Sequence, residues 1–230
     1  MPDTTQKLGL VENLELFSGL NFSACAHMAS TALFRDFACG DIIFLAGDPI
    51  SEVLILVEGR VKLSQVSEKG YEVILRLCSP GEEIYVPSIV RQGEYFSTAQ
   101  ALQACRVLAW DARTFRAAQG RFPVLQFNAL WTLARRTQEL ERRYYDVSTR
   151  TISPRLARCV IQLVDQIGER VDGHVEIHLT QESLAQMMAM TASSVSRLLS
   201  KWEVEGLVCL RRGAIEVRSV SGLSDLCHVK

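Results

Sequence analysis

At 230 residues, with 48% hydrophobic and 7% aromatic side chains, the chain has the composition of a folded globular protein and too much apolar content to be mainly disordered. Its 25 Lys and Arg stand against 26 Asp and Glu, a formal net charge of -1, which excludes binding a polyanion by bulk attraction; such a contact needs a local arrangement of charge. No apolar run reaches the roughly 18 residues that span a bilayer, and the start MPDTTQKLGLVENLELF lacks the basic region and apolar stretch of a secretory signal, so a cytoplasmic protein is expected.

The length allows one large core or two modest ones. The seven cysteines, at 25, 39, 78, 105, 159, 209 and 227, include no close pair. They are expected to be free thiols in a reducing compartment, mostly packed as small apolar side chains.

Residues 37 to 112 read as short strands separated by turn residues at intervals of roughly ten. The turns are Gly40-Asp41, Gly47-Asp48-Pro49, Glu58-Gly59, Glu68-Lys69-Gly70 and Ser79-Pro80-Gly81. Between them Val53, Leu54, Ile55, Leu56 and Val57 form a nearly continuous buried run, whereas Val61 and Leu63, then Val73, Leu75 and Leu77, alternate with period two. This cadence predicts a double-stranded β-helix, or jelly roll, closed by Asp111-Ala112-Arg113 after the strand VLAW.

From about residue 121 the period changes to that of a helix. Leu130, Leu133, Thr137, Leu140, Tyr144 and Val147 recur at spacings of three and four, with Arg135, Arg136, Glu139, Glu141, Arg142 and Arg143 on the remaining surface. Such a stripe suits a coiled-coil seam between two chains, and equally a helix packed on its own β-domain. Ser153 and Pro154 predict a second helix capped by Ser153, with Pro154 in its first turn. It runs through Leu156, Cys159, Val160, Leu163, Val164 and Ile167 towards Gly168, leaving residues 148 to 153 as a hinge.

The segment LTQESLAQMMAMTASSVSRLLSKWEVEGLV, residues 179 to 208, carries the clearest function. Thr180 caps a helix beginning at Gln181, with Leu184, Ala185 and Met188 turned inward. A tight turn at Ala189-Met190 leads to Thr191, a second cap, and Val195, Leu198, Leu199 and Trp202 are the buried face of a second helix ending at Gly206. Two short helices joined by about three residues are a helix-turn-helix, whose second helix enters the major groove. Its opposite face carries Ala192, Ser193, Ser196, Arg197 and Lys201. Arg197 is the forked donor suited to guanine O6 and N7, and otherwise to a phosphate. Ser193 and Ser196 suit a base edge or a phosphate, while Thr180, Gln181, Thr191 and Lys201 suit the backbone. The following LVCLRRGAIEVRS predicts a β-hairpin wing with Arg211 and Arg212 at its basic tip, within reach of flanking phosphates.

These residues resemble the DNA-binding domain of the catabolite activator and fumarate–nitrate regulator superfamily of bacterial transcription factors, and the β-turn pattern before them resembles its cyclic-nucleotide-binding-like sensor, over roughly residues 15 to 225. The resemblance implies an α+β protein with a β-roll sensor over residues 1–120, a dimerisation helix over 121–147 and a winged helix-turn-helix over 148–230. It further implies a homodimeric transcription regulator, an activator in many members, that meets a palindromic DNA site and RNA polymerase and is not an enzyme.

The departures from the family pattern bear on mechanism. The family's base-reading Glu falls on Ser193 and an arginine of some members on Ala192, while the Ser-Arg pair is kept as Ser196 and Arg197. A serine cannot accept from the cytosine amino group as a carboxylate does, so the half-site is expected to differ from the common one. The Gly-Glu and Arg-Ser pairs that hold cyclic AMP fall on Tyr85-Val86 and Phe96-Ser97, counting from Gly81. No cyclic-nucleotide response is expected, with Arg91 as a less favoured substitute for the phosphate arginine.

The clustered cysteines of the iron–sulphur members are missing, and no cofactor or metal is expected. A haem would have to draw on His27, Cys39, Cys78 or Cys105, whereas His174 and His178 are expected to be solvated. Arg106 beside Cys105 favours a thiol switch there. What remains is an apolar effector pocket bordered by Tyr85, Val86, Ile89, Phe96, Trp131 and Arg135, suited to an uncharged or aromatic effector, or else a collapsed core without a ligand. A redox- or haem-dependent regulator is the alternative, as is a protein-interaction module with a vestigial helix-turn-helix. A catalytic jelly roll lacks the histidine cluster it needs, since none of the four histidines lies in residues 37 to 112.

Overall fold

The computed structural model describes residues 2–85, 93–171 and 173–227. Two compact units are present, one of Met1–Gln65 with Leu75–Glu139 and the other of Val66–Ile74 with Leu140–Lys230.

The first unit opens with α1 (Pro2–Asn13), a single 3-10 turn (Glu15–Phe17) and α2 (Phe22–Thr31), which the strand cadence of the sequence does not announce. Asn21 starts α2 by accepting the Ala24 N–H at 2.9 Å, satisfying one of the orphan donors of a first helical turn. Then come β1 (Leu33–Phe37), β2 (Ile42–Phe44), β3 (Glu52–Glu58), β4 (Val61–Val66), β5 (Glu72–Cys78), β6 (Glu83–Tyr85), β7 (Thr98–Ala101) and β8 (Cys105–Asp111). The short helix α3 (Ala112–Arg121) follows, and then the long helix α4 (Pro123–Thr149). Asp111 ends β8 and caps α3, its carboxylate accepting from the N–H groups of Thr114 at 2.9 Å and Arg113 at 3.0 Å.

The strands do not close into the expected jelly roll. They form two separate sheets of four, in the orders β1-β8-β3-β6 and β2-β7-β4-β5, and no described ladder joins one to the other. Closure needs a continuous ladder carried round with a constant stagger. Here β2 and β6 are three residues each, and their pairings slip in register between Ile42 and Phe44 and between Leu54 and Ile55. The two sheets are held by side-chain packing instead. Leu54, Leu56, Val61, Ile84, Ala99, Val107 and Ala109 form one buried cluster. Val53, Ile55, Leu108 and Trp110 point the other way, into a second cluster with Leu16, Phe17, Met28, Phe115 and Leu125. The continuous apolar run of β3 is thereby explained: it is covered on both faces, so neither face needs polar residues. The buried Trp110 indole donates to the Met28 carbonyl at 2.9 Å and fixes α2 against the sheet.

The second unit contains α5 (Ile152–Ile167), β9 (Glu169–Val171), β10 (His174–Ile177), α6 (Gln181–Met188), α7 (Ala192–Val204), β11 (Val208–Arg211), β12 (Ala214–Val217) and α8 (Val220–Leu226). Its sheet has the order β11-β12-β10-β9. The hairpin β9–β10 and the closing α8 are additions to the sequence reading. α5 begins one residue before Ser153, with Thr151 at the cap position and no side-chain cap bond, so Ser153 is not the cap. Pro154 is tolerated at the third helical position because the N–H groups of the first turn have no intrahelical acceptor to lose. Buried Leu156, Val160, Leu163 and Ile167 of α5 line the core of this unit with Leu184, Val195, Leu199, Trp202, Ile215 and Leu223.

Candidate nucleic-acid interface

The helix-turn-helix is built by local chemistry. Thr180 Oγ1 accepts the Ser183 N–H at 3.0 Å and starts α6. At the end of α6, Ala189 takes the left-handed conformation (φ 51°, ψ 48°), and the Ala189 and Met190 N–H groups both point to the Ala185 carbonyl. Thr191 Oγ1 then accepts the Ser194 N–H at 3.2 Å and starts α7. The turn therefore needs three residues, and both expected caps are in place.

Val195, Leu199 and Trp202 are buried, and Leu198 is half-buried, which turns the opposite side of α7 outward. Ser193, Arg197, Ser200 and Lys201 are exposed there, with Ala192 and Ser196 half-buried at its margin. Val204 extends this face and is 90% exposed. The Ser193 hydroxyl lies 3.0 Å from Thr191 Oγ1, so it belongs to the capping cluster as well as to the outward face. Lys201 lies 3.7 Å from the Glu205 carboxylate, whereas Arg197 has no ion pair among the described residues. Gln181, in the first turn of α6, is half-buried, and Thr180 is exposed. α7 ends in a Schellman arrangement: Gly206 has φ +74° and the Leu207 N–H donates to the Trp202 carbonyl at 2.8 Å.

The wing follows directly. β11 and β12 pair from Val208 with Val217 to Arg211 with Ala214, and Gly213 takes φ +77° in the turn. Arg211 and Arg212 are exposed at the tip. Three charged residues missed in the sequence reading hold the wing. Glu203 Oε1 accepts the Leu210 N–H at 2.7 Å, tying α7 to β11. Glu216, buried, accepts from Arg218 at 3.1 Å and from Arg211 at 3.2 Å. The Arg218 hydrogen bond foremost, with that of Arg211, holds the Glu216 carboxyl below the usual carboxylate range, and Glu216 in turn raises Arg218. Arg211 is therefore partly neutralised, while Arg212 makes no ion pair among the described residues. A period-two strand reading gives Glu216 a side of the sheet but not its partners.

The histidines before the helix-turn-helix sit on or beside β10 rather than in a plain connection. His174 lies 3.9 Å from Glu216, and His178 lies 3.6 Å from Glu169 and 3.7 Å from Glu176.

In the first unit the residues expected around an effector are placed differently from one another. Tyr85 packs edge-on against Phe44 and Tyr95, with ring centroids 6.3 and 4.8 Å away. Phe96 and Trp131 are 72% and 60% exposed. Arg135 pairs with Glu15 at 3.2 Å. Val86, Ile89 and Arg91 lie outside the described residues. The polar contact that does form on β6 has no signal in the residue pattern: buried Glu83 takes the Arg136 guanidinium at 2.8 Å on both its carboxylate and its backbone carbonyl, and the Thr132 hydroxyl at 3.3 Å. Burial first of all lowers the Arg136 pKa.

Of the thiols, Cys39 is exposed, with its Sγ 3.1 Å from the Leu102 carbonyl. Cys105 is buried and bonded to the carbonyls of Arg60 and Gln103, and burial pushes its pKa up. Arg106 does not activate it, because successive strand residues face opposite ways and Arg106 pairs with Asp36 at 2.7 Å. Burial raises Cys78 and Cys159 to about 11. Among the described residues no three His, Cys, Asp or Glu side chains are grouped to hold a metal ion, and no helix is long and apolar enough to cross a membrane.

A helix-turn-helix with an exposed arginine on its second helix, flanked by a basic hairpin and preceded by a two-sheet unit, defines a winged-helix DNA-binding protein with a separate β-sheet unit. Residues 34–121 match the cyclic nucleotide-binding domain family, and residues 154–226 match the Crp-like helix-turn-helix domain. The chain belongs to the CRP/FNR superfamily of transcription factors, and it is a DNA-binding transcription regulator rather than an enzyme. It is 25% identical over 197 residues to a CRP-like cAMP-activated global transcriptional regulator of Mycobacterium tuberculosis, covering 85% of this chain and 88% of that one. It is 28% identical over 193 residues to the cyclic AMP receptor protein of Thermus thermophilus, covering 84% and 87%. Its fold matches a solved CRP/FNR-family transcriptional regulator of Thermus thermophilus with TM-score 0.75 at 22% identity, over 86% of this chain and 99% of that one. It also matches FixK2 of Bradyrhizobium japonicum with TM-score 0.76 at 17% identity, over 86% and 98%.

Proposed function

We propose that this protein acts as a homodimer on a palindromic DNA site, with residues 1–120 sensing a signal other than a cyclic nucleotide, α4 as the dimer helix and residues 148–230 as the DNA reader. The observation that carries the reading is the outward face of α7, where, among the described residues, Arg197 has no competing carboxylate. Arg197 with Ser193, Ser196 and Ala192 reads base edges; Thr180, Gln181, Thr191, Lys201, Arg211 and Arg212 hold the phosphates. Two such helices must meet half-sites one turn apart, about 34 Å, which requires a two-fold dimer.

Support for the dimer comes from α4, where Leu140 and Tyr144 are 67% and 76% exposed and Leu130, Leu133 and Val147 are exposed in the same heptad register. The relatives that are cAMP-activated by name do not set the signal here. Tyr85 stands where their family places the ribose-binding pair's first residue, and it is packed among Phe44 and Tyr95. Glu83, Arg136 and Thr132 satisfy one another, which leaves that guanidinium engaged within the protein. Tyr85, Val86, Ile89, Phe96, Trp131 and Arg135, of which Val86 and Ile89 lie outside the described residues, are the residues at which an uncharged or aromatic effector is sought, and RNA polymerase is the further partner of the DNA-bound dimer.

The test is selection of genomic DNA fragments by the purified protein, run under reducing and under oxidising conditions. An inverted repeat enriched in both, and lost with Arg197→Ala, is the expected result. Enrichment confined to one condition would move the input to the thiols, Cys39 first. Fragments without inverted symmetry, or enrichment that survives Arg197→Ala, would overturn the reading.

A further inference from the structure

The two arginines at the tip of the wing are not equivalent. Across the ladders of the second unit's sheet, Glu216 stands directly opposite Cys209 of β11 on one side and Glu176 of β10 on the other. The first supplies no cation and the second repeats the charge. Partners for the Glu216 carboxylate therefore come from long side chains further off, Arg211 diagonally across the ladder and Arg218 two residues along the chain.

Each carboxylate oxygen takes one of them. Oε1 accepts Arg218 Nε at 3.1 Å, with His174 Nε2 at 3.9 Å, and Oε2 accepts a terminal nitrogen of Arg211 at 3.2 Å. Arg218 is anchored in turn, since its backbone N–H donates to the Leu207 carbonyl at 3.0 Å, directly behind the Gly206 turn that closes α7. Glu203 of α7 lies near enough to favour its charge. Glu216 is buried, whereas 57% of the Arg211 side chain is exposed. A buried carboxylate held on one oxygen by Arg218 thus holds Arg211 on the other. Arg211 spends one terminal nitrogen on this bond and keeps the remaining donors of its planar fork. Arg212 has no ion pair of this kind among the described residues.

We propose that Glu216 is a positioning residue for DNA binding, which with Arg218 behind it holds Arg211 ready for a backbone phosphate and makes Arg211 the stronger of the two wing contacts. The proposal rests on the reading of the wing as part of the DNA interface. An unbraced arginine gives up rotamer freedom when it meets a phosphate, and a braced one has given up much of it on folding. Two guanidiniums and one carboxylate leave this cluster positive, so the brace does not cancel the attraction. Charge alone would give the opposite effect, with Glu216 competing against the phosphate for Arg211, and the two differ in sign.

The experiment uses the full chain and two readouts. In the free protein, the heteronuclear NOE of the Arg211 Nε–H should exceed that of Arg212, and Glu216→Gln, which keeps the shape and removes the charge, should bring the two together. Fluorescence anisotropy then follows two labelled duplexes, one carrying the genomic fragment selected by the wild type and one of shuffled sequence. Arg211→Ala should weaken binding to both about fivefold and lower the salt slope by about 1, with a smaller loss for Arg212→Ala. Glu216→Gln should weaken binding about threefold with the salt slope kept, and should have no effect once Arg211 is alanine. Tighter binding by Glu216→Gln would make Glu216 a competing anion and overturn the proposal. Equal weakening with and without Arg211 would make Glu216 a structural residue of the wing, which overturns it too. So would an Arg211 NOE indifferent to Glu216→Gln, or a loss with Arg212→Ala as large as with Arg211→Ala. A wild-type protein that bound neither duplex would overturn the DNA-binding reading together with this proposal, whereas the other adverse outcomes leave wild-type binding intact and overturn this proposal alone.

Discussion

Arg197 is exposed, unpaired among the described residues and placed in the second turn of α7, so its substitution isolates one contact without disturbing the core. Arg197→Ala should cost about 1–3 kcal/mol of specific DNA affinity, roughly tenfold to a hundredfold, and leave the unfolding midpoint unchanged. Fluorescence anisotropy on the selected site, alongside thermal unfolding, checks both halves. The thiols divide as sharply. With Cys78 and Cys159 raised to about 11, about one thiol in ten thousand is ionised at neutral pH, and both side chains are buried. Iodoacetamide should therefore label exposed Cys39 first and reach Cys78 and Cys159 only on unfolding, as peptide mass mapping over a time course would show. Arg197 was legible from the sequence because helical spacing alone turns it away from Val195, Leu199 and Trp202. That the Cys105 thiol faces the Arg60 and Gln103 carbonyls while Arg106 pairs with Asp36 was not, since Arg60 and Asp36 are distant in the chain.

Among the elements, the turn between α6 and α7 and the wing each carry a conformational cost or an electrostatic latch. Ala189 occupies a left-handed position that costs an L-residue about 1–2 kcal/mol. Ala189→Gly relieves that and loses about 0.4–1 kcal/mol to the freer unfolded chain, so a net gain of up to ~1.6 kcal/mol is expected in urea unfolding. In the wing, Glu216 has its folded pKa lowered from 4.5, chiefly by its hydrogen bond with Arg218. A carboxyl lowered in the folded state contributes stability that is present above 4.5 and is lost as pH falls through the folded value. Amide exchange of β11 and β12, corrected for intrinsic rates, should therefore accelerate below that pH, and Glu216→Gln should abolish this acid dependence. The caps at Thr180 and Thr191 and the turn at Gly213 could be read in advance, since each depends on neighbours within a few residues. Ser153 misled because the helix starts at Ile152, two residues before the start that a Ser153 cap implies, with no side-chain cap bond to mark it.

For the whole molecule, the question is what covers the apolar register of α4. An isolated chain leaves Leu140 and Tyr144 in water, and the proposed dimer would cover them. If α4 pairs two copies as proposed, Leu140→Glu combined with Tyr144→Glu should leave the protein monomeric in sedimentation velocity at concentrations where the wild type is a dimer, and weaken binding to the palindrome far more than to a half-site. A wild-type protein that remains monomeric while binding the palindrome tightly would refute the arrangement. The sequence by itself determined what local physics controls: strand and helix periods, the two helix caps, the wing turn, and the side of α7 that faces solvent. Only the tertiary structure decided how strands pair and which charges meet. The sheets stayed separate because the ladders of β2 and β6 are short and slip in register, and Glu83 met Arg136 through packing of α4. Ladder closure and the pairing of Glu83 with Arg136 join residues tens of positions apart in the chain. No residue spacing records these arrangements.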